Sequence, residues 1–467
     1  MSNAKQATAT TVNWRMFYKH ILALVIPLAL QNLVNVSITA ADVFMLGRVD
    51  EVVLAGAAIA GQVQFIMMLT LFGLSSGLTI LTAQYWGKGE VFVIEKILAM
   101  GLKVALSVTF VFMSLALLLP TQILGLFTRD TAVIAQGVIY LRIVAFSYMM
   151  IGFTLIYLAV MRSVERVIVA TVIFSISLVI NVSLNAVLIF GLFGFPALGI
   201  QGAAIGTLIT RSIEVCSVLI YSRFFNHNIK IRLRYFLKSD PILRRDFIKY
   251  ALPVLFNEIV WGVAVSVNTA ILGHMGSAAL AANSVAQVSR QLGMVVAFGL
   301  SGATAVYVGK TIGKRMFEEA RLYATRLLQL SVLSGVVGGV LLLIASPHII
   351  TAQSLSPEAA NYLRLMYFVM AYFMVAQSFT VTTIVGVLRS GGDTRFGLVC
   401  DLCSMWFFSI PLSFIGAFFL GFSVPVVYII LMSDELVKIP FALWRFRSLK
   451  WLRNVTKEIE KDSPQTV

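Results

Sequence analysis

The sequence predicts an all-α integral membrane protein, with twelve transmembrane helices in two parallel six-helix repeats around a central cavity. Three observations carry that reading. Of 467 residues, 59% are hydrophobic and only 12% charged, a composition no soluble globular class shares. Apolar runs of about 20 residues, long enough to cross a bilayer core, recur from end to end. The chain also repeats itself at a spacing near 226 residues.

The first run, 20–45, carries one formal charge, Asp42, and an internal proline, Pro27. It is too long for a cleavable signal peptide, is interrupted by Gln31, Asn32 and Asn35, and has no small-residue cleavage site. Runs 53–80, 95–119 and 134–158 follow. Run 166–190 holds Asn181 and Asn185, and run 200–222 holds Thr207, Arg211 and Glu214. The second set begins with 248–273, which holds Pro253, Glu258 and Asn268, and 280–307, which holds Gln287, Arg290 and Gln291. Runs 321–346 and 360–386 precede 397–418, with Asp401, and 422–445, with Asp434 and Glu435. Barrel strands would be about ten residues long and alternate in polarity, so these are helices.

The formal charge of +15 is an orientation signal and not a nucleic-acid footprint. With the N-terminus inside, the inner loops hold Lys88, Lys96, Arg162, Arg166, Lys310, Lys314, Arg315, Arg389 and Arg395, the basic stretch 223–247, and the basic tail. The outer loops hold Arg48 and Arg129. That asymmetry is the positive-inside pattern and puts both termini in the cytoplasm, with a secondary attraction to anionic lipid. The expected organisation is an N-lobe over 1–222, a basic cytoplasmic linker over 223–247, a C-lobe over 248–446 and a cytoplasmic tail over 447–467. Cys216, Cys400 and Cys403 all fall inside predicted spans and read as small buried residues; no disulfide framework or metal cluster is indicated.

The repeat fixes the relation between halves. Pro27 matches Pro253, Gly47 matches Gly273, Leu54-Ala55 matches Leu280-Ala281, and Gly87-Lys88 matches Gly313-Lys314, all 226 apart. "MRS" at 161–163 meets "LRS" at 388–390, 227 apart. Six spans per half is even, so both halves enter from the same side. Transporters built this way rock two bundles about a site between them.

Two motif matches fail. "GLSSG" at 73–77 fits a nucleophile elbow, but lies inside an apolar span without a base; close helix packing explains its small residues. "GKT" at 309–311 lacks the upstream glycine of a phosphate loop, because Thr304 stands there. Nothing marks an ATPase or any other enzyme, so an ion gradient or the substrate's own gradient must supply the energy.

Ionisable residues inside a membrane are functional candidates by default. Asp42 and Glu258 are the deepest carboxylates, followed by Glu214 and Asp401; Lys103, Arg211 and Arg290 are the expected buried bases. Arg211 and Glu214, three residues apart, are expected to pair. Asp401 is expected either to act in the cavity or to pair with Arg395, and Asp434 and Glu435 to be partly solvated. At offset 226, Asp42 superposes on Asn268 and Glu258 on Asn32. A buried carboxylate without a cationic partner holds a proton or binds a cation; competition between such species is the chemistry of a coupled exchanger.

At this level of detail the chain resembles the MATE (multidrug and toxic compound extrusion) family over residues 17–447. The resemblance rests on the repeat and on four stretches: "PLALQN…AADVFMLG"; "GLSSGLTILTAQYWGKG"; "NVSLNAVLIFGLFGFPALGIQGAAIGT"; and "GVLRSGGDT". It implies antiport of organic cations against Na⁺ or H⁺, with no cofactor, by a monomer in the bacterial plasma membrane. Asp42 matches the family's ion-binding aspartate, Pro27 the proline where the first helix bends, Asn181 an asparagine of the same pocket, and Thr207 its threonine. Asn185 stands where many members carry a second aspartate, so the ion's identity does not transfer. Glu258 matches an acidic position of the seventh span. With Asn268, Asp401, Gln287 and Arg290 it forms the expected C-lobe substrate or cation set. The alternative from the same superfamily is a flippase for lipids or polysaccharide precursors, which would need a more basic cavity. A passive channel or a membrane-embedded enzyme is the rival of another class; no selectivity filter and no metal cluster supports either.

Overall fold

The computed structural model describes residues 13–232, 234–237, 240–352 and 355–459. Among them the secondary structure is helical throughout. The N-lobe helices are α1 (Trp14–Gly47), α2 (Glu51–Lys88), α3 (Val91–Leu118), α4 (Thr131–Val144 and Ser147–Ser163), α5 (Val167–Phe190) and α6 (Ile200–Ile220). The C-lobe helices are α7 (Pro241–His274), α8 (Ser277–Gly293 and Val295–Gly313), α9 (Phe317–Ala352), α10 (Pro357–Leu388), α11 (Thr394–Phe418) and α12 (Val424–Met432 and Asp434–Arg447). Among the described residues, ten helices are by themselves long and apolar enough to cross a membrane, and the two parts of α4, bent by 54°, make an eleventh. The twelfth crossing, α12, breaks at Ser433 into pieces of 9 and 14 residues and carries Asp434, Glu435 and Lys438.

Capping chemistry sets several starts. Asp50, Asp130 and Asp240 each accept two backbone N–H bonds at the heads of α2, α4 and α7, satisfying amides that have no partner within the helix. The outer faces expose Leu22, Ile26, Leu118, Ile168, Val179 and Phe407. Side chains of this kind stay exposed only where lipid replaces water.

The lobes meet where α2 packs on α7 and α8, and α1 on α8. Two glycines related by the repeat set the closest approach. A Cβ on Gly87 would fall on the Lys310 carbonyl, and one on Gly313 on the Gln84 carbonyl. The same end is tied by Lys310 to Glu165, 2.6 Å apart, and by Gln84, which donates to the Ser390 carbonyl at 2.7 Å. The segment 448–459 straps it: the Val455 amide donates to Gln84 at 2.8 Å, the Lys457 amide to Tyr85 at 3.0 Å, and Asn454 to the Ile312 carbonyl at 3.1 Å. The molecule is thus closed at the end carrying the start of α1 and the strap. Residues 460–467 of the expected tail lie outside the described residues.

Two expectations about burial change. Cys216 and Cys403 are exposed, and only Cys400 is buried; a thiol is apolar enough to face outward from a membrane bundle. Lys103, expected as a buried base, is exposed on α3; a lysine's long apolar stem lets it sit on the outside of a membrane bundle with its charge carried towards the interface.

Candidate functional site

The residues singled out by sequence fall into three places. The first is inside the N-lobe, where α1 packs on α5 and α5 on α6. Asn181 and Asn185, four apart on α5, share a face. The Asn185 amide donates to Asp42 Oδ1 at 2.6 Å and to Asn181 Oδ1 at 3.4 Å. Asn185 is fully buried, and its own Oδ1 has no hydrogen-bond partner. A Cβ on Gly206 of α6 would collide with that oxygen, so a glycine there makes room for the asparagine. Thr207, the next residue, stands beside the Tyr140 hydroxyl of α4.

Arg211 pairs with Glu214 as expected, at 2.8 Å, and also acts electrostatically on Asp42. Sequence offered no base near Asp42; the fold brings one from α6. Tyr140 was likewise invisible, since nothing in its span marks it. Pro27 lies within α1, which runs unbroken from Trp14 to Gly47; its carbonyl accepts from the Thr171 hydroxyl at 3.1 Å.

The second place is a cavity of about 490 Å³ between the lobes. Glu258 and Asp401 both line it, and both have cationic partners that the sequence reading did not assign. Arg389, at the end of α10, lies 3.0 Å from Glu258 and also donates to the Ser76 hydroxyl across the lobe boundary at 3.2 Å. Asp401 pairs with Lys438 at 3.0 Å, not with Arg395, and accepts from the Asn257 amide at 2.9 Å. Lys438 also lies 2.8 Å from Asp434 and 3.6 Å from Glu435. Glu435 accepts from the Thr380 hydroxyl as well. The expectation that Asp434 and Glu435 are partly solvated is therefore corrected: they are 6% and 8% exposed, turned inward because the one ammonium that can hold them sits one turn later on the same helix. The i, i+4 spacing of Asp434 and Lys438 was a legible signal for this cluster.

Backbone geometry serves these residues. α10 widens into π-type turns over Thr382–Leu388, just before Arg389, and α11 over Leu402–Ser409, just after Asp401. Such turns rotate a helix face locally and concentrate at functional positions.

The third place is a small C-lobe pocket of about 40 Å³ lined by Asn268, Asn283, Gln287 and Arg290, room for a water or a small ion. Gln287 donates to Thr269 at 3.1 Å, while Asn268 Oδ1 is buried without a partner. Asp434 and Glu435 border this pocket too, so Glu435 stands between it and the cavity. Asn268, Gln287 and Arg290 thus line a pocket that adjoins, across Trp261, Gln377 and Glu435, the cavity that Glu258 and Asp401 share.

Comparison with known proteins agrees with the architecture. The MatE family's sequence model matches residues 27–187 and 253–415, two segments whose starts are separated by the repeat's offset. The chain is 24% identical over 417 residues to the probable multidrug resistance protein NorM of Agrobacterium fabrum, covering 88% of this chain and 89% of that one. It is 22% identical over 418 residues to the uncharacterized transporter YisQ of Bacillus subtilis, covering 88% and 90%. A solved structure of a multidrug resistance MATE family transporter in an outward-facing conformation superposes with a TM-score of 0.85 at 17% identity, over 92% of this chain and 96% of that one. A family match spanning both halves, on a fold that superposes along nearly its whole length, makes this chain a member of the MATE family of transporters.

Proposed function

We propose that this protein exports organic cations across the bacterial plasma membrane in exchange for H⁺ or Na⁺, by alternating access between its two lobes. One observation carries the reading: on the cavity's C-lobe wall a single ammonium, Lys438, serves three carboxylates, Asp401, Asp434 and Glu435. Fully ionised, that cluster holds two surplus negative charges in a setting where uncompensated charge is expensive. Protons or a cationic substrate offset the surplus, and each competes with the other. The N-lobe supplies a second exchange position, with Asp42 as the exchanging acid. Its oxygens, those of Asn181 and Thr207, and the unpartnered Oδ1 of Asn185 are hard donors suited to a proton or Na⁺ and unsuited to soft metals. The basic excess on the closed end supports placing that end in the cytoplasm, with the cavity then serving the outside.

Reconstitution in liposomes tests this. A proton or a Na⁺ gradient is imposed in turn while uptake of a cationic dye is followed by fluorescence. Gradient-driven dye movement that collapses in Asp42→Asn is the expected result. Dye movement indifferent to both gradients refutes exchange, and unaltered coupled transport in Asp42→Asn refutes the role given to that residue.

A further inference from the structure

The two halves differ at one pair of positions that both face the cavity. Arg389 is the repeat mate of Arg162, and Glu258 is the repeat mate of Asn32. In the C-lobe the pair closes on itself, guanidinium to carboxylate at 3.0 Å. In the N-lobe the matching acid is an amide, and Arg162 keeps its charge with no carboxylate partner among the described residues. Its one hydrogen bond is a long one, to Gln31 Oε1 at 3.4 Å. The acid nearest in sequence, Glu165, is held by Lys310. Asp42 lies eleven residues beyond Gln31 on the same helix, about 16 Å away along its axis, too far to neutralise Arg162.

Arg162 is half-buried; a guanidinium has five donors, and withdrawing it even partly from water without a partner is costly. Both Arg162 and Asn32 line the cavity, as do Asp401 and Glu435 on the facing wall. The cavity is therefore dipolar: one unmatched positive charge on the N-lobe side, surplus negative charge on the C-lobe side. Its lining also holds the apolar side chains Met68, Phe72, Trp261 and Phe298.

We propose that Arg162 receives an anionic group of the transported molecule, so that the cavity takes zwitterionic amphiphiles. The substrate's carboxylate lies against Arg162 and its amine towards the Asp401–Glu435 wall. This rests on the cavity being the substrate site of the exporter described above. It also assigns Asn32 a specificity role, since the absence of an acid there leaves Arg162 available.

A matched dye pair separates the charges. Tetramethylrhodamine carries a carboxylate and a delocalised cation; its methyl ester keeps only the cation. Dissociation constants of both are measured by fluorescence anisotropy on the purified protein, with the ester as internal reference. Loss of a charge-assisted hydrogen bond to a buried group is worth about tenfold in affinity. The acid-to-ester affinity ratio is expected to fall about tenfold in Arg162→Gln and in Asn32→Glu, where a built-in carboxylate occupies the guanidinium. It is expected to stay within about threefold in Arg162→Lys, which keeps the charge. A ratio unchanged in both Arg162→Gln and Asn32→Glu overturns the proposal, as does an equal fall in Arg162→Lys. Gradient-driven transport is read separately. If the ester is not moved in liposomes, the exporter reading falls, while the dependence of acid binding on Arg162 stands or falls on its own.

Discussion

Replacing Glu258 by glutamine discriminates between two roles for that residue. As a free acid waiting for a cation it would be a stability burden, and neutralising it would raise the melting temperature. As the partner of Arg389 it is the opposite. The two groups are 3.0 Å apart with side chains 13% and 4% exposed. At an effective dielectric near 20 their attraction is roughly 5–6 kcal/mol, set against a desolvation cost of similar size. Removing one partner leaves the other buried and uncompensated, which costs about 3–5 kcal/mol. The unfolding entropy typical of soluble chains makes a chain of this length lose about one degree per kcal/mol, so Glu258→Gln melts about 3–5 °C below wild type. Tryptophan-fluorescence melts of Glu258→Gln, Arg389→Gln and the double variant complete the cycle. The double variant, with two neutral groups in place of the pair, melts no lower than either single one. Should Glu258→Gln melt at or above the wild-type temperature, the ion pair is not what Glu258 is for.

Three further outcomes follow from the geometry. Gly87→Ala or Gly313→Ala sets a methyl against a backbone carbonyl of the other lobe, where no side chain can yield. Even 2 kcal/mol of destabilisation would move the balance between closed-end and opened-end forms about 30-fold, read as faster thiol labelling of a cysteine placed at Ser390; unchanged labelling refutes it. Glu165→Cys with Lys310→Cys, whose backbones are separated by the two long side chains of the 2.6 Å ion pair, is expected to be bridged by a bifunctional methanethiosulfonate reagent that locks the closed end and stops transport until reduced. Removing residues 451–459 takes away the fully buried Trp451 and the bonds to Gln84, and labelling at the same end is expected to rise as in the glycine variants; a truncated protein labelled at the wild-type rate would show that the strap does not hold the lobes.

What was legible in the sequence was whatever is local or periodic. Span lengths, the repeat and the Arg211–Glu214 pair are written in spacings of three, four or 226 residues. The identity of charge partners between helices was not, because it depends on how each helix is rotated about its axis. Glu258 meets Arg389 and Asp401 meets Lys438 only after α7, α10, α11 and α12 are packed, and the widened turns of α10 and α11 shift that rotation in a way no regular period reports. The tail's packing was not legible for a different reason: its lysines and arginines marked only a side of the membrane, and nothing in their spacing reports that Trp451 is buried or that Lys457 bonds to Asp246 at 2.6 Å. Asp42 and Arg211 were both singled out from sequence but not joined, and Tyr140 was not singled out; both reach Asp42 from helices far along the chain.

The inequality of the two halves bears directly on mechanism. A duplicated scaffold under no functional demand would tend to neutralise its buried charges in the same way in both copies. Here the C-lobe matches Arg389 with Glu258 and gathers its remaining acids around Lys438, while the N-lobe carries Asp42 on α1 and Arg162 on α4, the latter bonded to Gln31, about 16 Å from Asp42 along α1. Those two cannot satisfy one another. Arg211, the base that reaches Asp42, is already bonded to Glu214, and Arg162 has only an amide oxygen. Each is left with bonding capacity that a mobile species can fill: a cation or proton at Asp42, an anionic group at Arg162. Because Asp42 and Gln31, the residue that accepts from Arg162, lie on one helix at different depths, a change in the bend or tilt of α1 alters both contacts together. Occupancy of the ion position and affinity at the substrate position are thereby linked through a single rigid element, which is the physical requirement for exchange of one for the other.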